Sequence, residues 1–121
     1  MHHAHDSKDM QACIDACLAC YRTCQEQFAT HCLEMGGKHV APGHARLMLS
    51  CAEVCRTSAH LMLTHSPVHQ LLCGVCAKVC RECARDCREV GDMDACVAAC
   101  EACADSCEAM SVGTTARDTT A

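Results

Sequence analysis

Apolar and small residues recur along this chain at alternating steps of three and four. That is the period of one face of an α-helix, not the every-second alternation of a half-buried strand. Four stretches, roughly 8–35, 44–64, 67–90 and 93–110, carry the period and are rich in Ala, Leu, Glu, Arg and Met, good helix formers. Breakers separate them: Gly36-Gly37 and Pro42-Gly43 around the first junction, Ser66-Pro67 at the second, Gly91-Asp92 at the third. Pro67 suits the first turn of the third helix, with Ser66 as its cap. Junctions this short favour antiparallel neighbours. The pattern predicts an all-α, antiparallel up-down-up-down four-helix bundle in a single domain over 1–110. A flexible tail is expected over 111–121, where Ser, Thr and Gly occur without period.

What occupies the inward face sets this chain apart. In the first helix the stripe is Cys13, Cys17, Cys20 and Cys24, followed by Cys32. In the third it is Cys73, Cys76, Cys80, Cys83 and Cys87, and in the fourth Cys96, Cys100, Cys103 and Cys107. The second helix keeps the same step with Met48, Cys51, Cys55, Ser58 and Met62. These are the seam positions of a bundle, normally filled by Leu or Ile. One cysteine on an apolar helix face is ordinarily just a small buried residue. Packing gives no reason to prefer a reactive thiol over Val or Leu at every layer of three helices.

Composition agrees. Of 121 residues 16 are Cys, while Leu, Ile, Val and Phe together make up only about 15%. Such a deficit accompanies disorder when net charge is large; here it is −5, so cysteine supplies the missing core volume. Acidic residues outnumber basic ones 15 to 10 and aromatic residues are nearly absent, which excludes a nucleic-acid surface. No run is long and apolar enough for a membrane span. The stretch Met1-His2-His3-Ala4-His5-Asp6 has no cationic region leading into an apolar one, so a cytoplasmic location is expected, where thiols stay reduced.

Disulfides fit the stripe poorly. Residues i and i+4 on a helix hold their Cβ atoms about 5–6 Å apart, beyond the roughly 3.5–4.5 Å a disulfide needs. The same spacing lets two sulfurs converge on one ion between them. Cu(I) is soft and prefers thiolate and thioether donors, two or three at a time. The pairs Cys13/Cys17, Cys20/Cys24, Cys51/Cys55, Cys76/Cys80, Cys83/Cys87, Cys96/Cys100 and Cys103/Cys107 have that spacing, and each Cys-x-x-Cys step joins one pair to the next. Structural zinc prefers cysteines on knuckle turns, iron–sulfur clusters prefer loops, and a redox Cys-x-x-Cys enzyme needs one activated pair beside a strand. With one to two thiolates per ion, capacity is roughly 8 to 16 Cu(I) per chain. The reading is a non-enzymatic store of multiple Cu(I) ions, with a zinc- or cadmium-sequestering protein of metallothionein type as the alternative. His31, Met35, Met48 and Met93 gather at the first-loop end and join the ligand set as weaker entry donors. Met10, His60, Met62, His65, His69 and Met110 gather at the opposite end, so the spacing leaves the entry end open.

The motifs Ala12-Cys-Ile-Asp-Ala-Cys-Leu-Ala-Cys20, Leu49-Ser-Cys-Ala-Glu-Val-Cys55, Cys73-Gly-Val-Cys-Ala-Lys-Val-Cys-Arg-Glu-Cys-Ala-Arg-Asp-Cys87 and Cys96-Val-Ala-Ala-Cys-Glu-Ala-Cys-Ala-Asp-Ser-Cys107 resemble those of the bacterial copper storage proteins. The resemblance covers about residues 10–110. It implies a cytosolic cysteine-lined bundle that assembles as a homotetramer and buffers many Cu(I) ions per subunit. Gln27 and His31 stand where that family often continues its cysteines, and Gly91, Asp92 and Met93 where it often has histidines.

Overall fold

The computed structural model describes the backbone of residues 3–120 and the side chains of residues 8–111. Its first helix, α1, runs His3–Gln27 and continues through a π-helical turn, Phe28–Cys32, into a last α-helical turn, Leu33–Met35. A 3₁₀ turn, Gly37–Val40, leads to α2 (Pro42–Leu63); α3 (His69–Val90) and α4 (Asp94–Thr120) complete the chain. Each helix packs against its neighbours in sequence, and α1 also packs against α4. This closes a ring of four antiparallel helices, with no strand among the described residues.

The junctions obey the local rules with small shifts. Gly36 and Gly91 adopt φ of 67° and 86° and end their helices in a region costly for any residue with a Cβ. Pro42 opens α2 in its first turn, where a missing N–H costs nothing. The second junction corrects the expected boundary: Pro67 and Val68 form a turn and α3 begins at His69. Ser66 does not cap the helix: Val68 is the N-cap, without a side-chain cap bond, and the Ser66 hydroxyl accepts the Val68 N–H at 3.3 Å within the turn. At the far end α4 runs on as helix through 111–120, which the breakers read as a tail; Ala121 lies outside the described residues.

All sixteen cysteines are fully buried, and the core they form is completed by Met48, Met62, Met93 and a set of alanines. Ala52, Ala59, Ala77, Ala84 and Ala104 flank the thiols and let the helices approach closely. Among the described residues no Asp, Glu, Lys or Arg is buried; the buried polar ones are His39, His44 and Ser58.

Candidate metal centre

The four stripes meet along the bundle axis as stacked groups of sulfur atoms drawn from different helices. Cys17, Cys76, Cys103 and Cys107 form one group whose Sγ atoms all lie within 4.8 Å of one another. Cys20, Cys55, Cys80 and Cys103 form the next, and Cys20, Cys24, Cys51 and Cys100 a third. Cys20 and Cys103 each belong to two groups, so the sulfur network is continuous through the middle of the bundle. Within a helix Cys20/Cys24 and Cys76/Cys80 stand 3.9 Å apart and Cys103/Cys107 4.0 Å. Across helices Cys55 lies 3.5 Å from Cys80 and Cys17 3.6 Å from Cys107.

These separations discriminate between chemistries. A disulfide needs sulfurs about 2 Å apart, and every cysteine is free. Three sulfurs about 2.3 Å from a closed-shell ion, at 120° to one another, lie about 4.0 Å apart. The described contacts are already at that spacing, so ions fit between the sulfurs without moving backbone.

Burial keeps the empty array protonated where no neighbour compensates. Burial pushes the Cys32 thiol up, with Cys87 adding to the effect. Cys96 is likewise pushed up, Cys24 and Cys87 being the largest causes. A thiol must lose its proton to hold a metal ion. For Cys32, raised above 9.0, the protonated form dominates at neutral pH, so binding there releases a proton and strengthens as pH rises. Retention against a chelator whose own protonation is constant should therefore weaken from pH 8 to pH 6, by about tenfold per unit for each proton released. Retention independent of pH would show that the thiolates are already ionised in the empty bundle.

The first-loop end is built differently. Met48, 1% exposed, accepts S–H bonds from Cys83 at 3.7 Å and Cys87 at 3.5 Å. Cys32 donates to Met93 Sδ at 3.7 Å and lies 3.6 Å from His44 Nε2. His44 in turn donates from Nδ1 to the Asp86 carboxylate at 2.6 Å, which holds the ring with Nε2 facing the thiol. His39 Nε2 and His31 Nε2 donate to the carbonyls of Gly91 and Asp92 at 3.0 and 2.8 Å, tying the first loop to the third. The rings of His31, His39 and His44 follow one another edge to face, with centroids 5.3 and 6.4 Å apart.

Two of the expected donors lie nearer the surface than the stripe itself. Met35 is 50% exposed and His31 only half-buried, because the π-helical turn adds one residue to α1 after Cys24. A straight α-helix would carry the stripe from Cys24 to His31 and Met35; the extra residue turns both outward and brings Cys32 in. Thr30, whose hydroxyl bonds back to the Glu26 carbonyl at 2.7 Å, sits within this turn. The buried His39 and His44 and the half-buried Asp86 were not in the expected ligand set. The signal for His44 was legible, since it precedes Met48 by four and extends the stripe of α2 backward; for His39 and Asp86 no periodic signal exists.

Comparison with known proteins agrees with this geometry. Residues 6–112 match the family model described as copper storage protein. The chain belongs to the copper storage protein family. Among solved structures, a protein from Nitrosospira multiformis is 48% identical with a TM-score of 0.86, covering 88% of this chain and 97% of its own. The Cu(I)-bound copper storage protein BsCsp3 is 35% identical with a TM-score of 0.79, covering 85% and 98%. The uncharacterised cysteine-rich protein YhjQ of Bacillus subtilis is 38% identical over 69 residues, 57% of this chain; the match spans 63% of that relative's length. Among the described residues no helix is long and apolar enough to cross a membrane.

Proposed function

We propose that the chain stores multiple Cu(I) ions on the sixteen cysteine thiolates of its bundle core, without catalysing a reaction. The observation that carries this is the continuous, fully buried sulfur network, with separations matching ions shared between neighbouring thiolates. The Cu(I) bound by BsCsp3, a relative of the same fold, supports the choice of ion. Charge supports it too. Four thiolates on one Zn(II) leave −2 in a core with no Lys or Arg buried among the described residues, whereas Cu(I) ions sharing bridging thiolates approach neutrality. Zinc or cadmium sequestration is thereby the weaker reading.

Met48, Met93 and His44 surround Cys32 and Cys87 at the first-loop end, which makes that end the port through which ions reach the stronger thiolates. Their thioether and imidazole donors bind Cu(I) more weakly than a thiolate pair, so an ion captured there moves inward downhill. We also propose a cytoplasmic location and a homo-oligomer, the tetramer of the family resemblance. Leu71 and Val75, one turn apart and exposed on α3, support an association surface.

The deciding experiment is an anaerobic Cu(I) titration of the reduced chain against a chromophoric Cu(I) chelator, with metal analysis after gel filtration. About ten or more Cu(I) retained per chain, within the capacity set by one to two thiolates per ion, is the expected result. Retention of one or two would instead identify a carrier.

A further inference from the structure

The sulfur layer beside the α2–α3 turn departs from the rest of the array. Cys13 of α1, Cys73 of α3 and Cys107 of α4 hold their Sγ atoms within 4.8 Å of one another, with Cys13 and Cys107 at 3.7 Å. In two of the three groups above, α2 contributes a thiol through Cys51 or Cys55, and Cys55 also lies 3.7 Å from Cys76 of the group between. Here it presents Ser58, fully buried, with its hydroxyl 3.7 Å from Cys73 Sγ. The layer is thus three thiols closed on the fourth side by one small hydroxyl, and Met62 Sδ accepts the Cys73 S–H at 3.9 Å.

We propose that this layer binds a trivalent thiophilic metalloid, arsenic(III) or antimony(III), taken up as the neutral hydroxide. Charge is the first argument. Three thiolates on a trivalent centre are neutral, whereas the same three leave −1 on Zn(II) and −2 on a single Cu(I). Excess charge is costliest where water is excluded and no buried cation answers it. Shape is the second. A trivalent pnictogen makes three bonds on one side and keeps a lone pair on the other, and three sulfurs from three helices facing the compact Ser58 provide both halves.

The exchange balances without an oxidant. Three As–O and three S–H bonds break, three As–S bonds form, and three waters leave with the thiol protons; arsenic remains trivalent throughout. The site shares with the copper reading only its reduced thiols. Cu(I) retention measured on the same preparations separates failure of the one from failure of the other.

In the test, the reduced chain is mixed anaerobically with one equivalent of sodium arsenite, passed through gel filtration, and assayed for arsenic, reactive thiols and arsenic X-ray absorption. The expected result is about one arsenic per chain with three sulfur neighbours, and three thiols lost to the thiol reagent. Against a small dithiol competitor, Cys73→Ser and Cys13→Ser should each lower arsenic retention by about tenfold or more. Cys32→Ser, at the opposite end of the bundle, should leave it unchanged. The two substitutions enter the same trio from different helices, so a folding failure in one, read by circular dichroism, leaves the other as the test. Retention by folded Cys73→Ser or Cys13→Ser equal to that of the unsubstituted chain overturns the proposal. So does loss of all arsenic on the column by a chain that still retains Cu(I).

Discussion

Loading the bundle with Cu(I) is expected to raise its unfolding temperature by more than about 20 °C. A ligand that binds only the folded state, present at a hundred times its dissociation constant, adds about 2.7 kcal/mol per site. In a domain of this size each kcal/mol is worth roughly 4 °C. Several sites filled along one axis therefore move the transition by tens of degrees. The empty bundle has little to resist with, because small thiols and alanines fill positions where a hydrocarbon core would bury Leu and Ile. Anaerobic thermal denaturation followed by circular dichroism, with and without copper, reads the shift directly. A change of only a degree or two would mean that copper sits on exposed donors outside the core. Removal of the metal by a strong chelator should return the lower transition.

The second large effect belongs to Met48. It is among the largest fully buried side chains, 1% exposed, and its sulfur accepts from both Cys83 and Cys87. Met48→Ala should cost the empty bundle about 2–5 kcal/mol, since it opens a cavity and strands two thiol donors at once. Met48→Leu conserves volume and should cost less than about 1.5 kcal/mol. If Met48 also passes ions from the port inward, the leucine variant should load copper more slowly while keeping nearly the full capacity. Denaturant unfolding of the empty proteins measures the first difference, and stopped-flow loading the second. Equal loading rates for Met48→Leu and the unsubstituted chain would make Met48 a core filler only, the ordinary fate of a buried methionine.

Much of this molecule was legible before any coordinates. The steps of three and four fix helices, the breakers at Gly36, Pro42, Ser66 and Gly91 divide them, and short junctions force antiparallel neighbours. Because the period holds in all four stretches, the inward positions follow directly. Every cysteine assigned to them is buried. The boundaries moved where local rules compete: Pro67 can open a helix or sit in the turn before it, and here it sits in the turn, with the Ser66 hydroxyl taking the Val68 N–H.

What the sequence determined by itself is the chemistry: a bundle whose seam is made of thiols, and hence a core that accepts soft ions. Which sulfurs share an ion was decided only by the tertiary structure. Cys55 and Cys80, or Cys13 and Cys107, become neighbours through the packing of helices distant in the chain, and helical period carries no information on the stagger between two helices. The π-helical turn at Phe28–Cys32 likewise escapes a periodic reading, because one inserted residue exchanges His31 and Met35 for Cys32 at the mouth. The same holds for the pairing of His44 with Asp86 across 42 residues, a contact that exists because α2 and α3 are antiparallel and close. Local spacing sets what each helix offers to the axis, and only the packing of the helices on one another sets which offers meet.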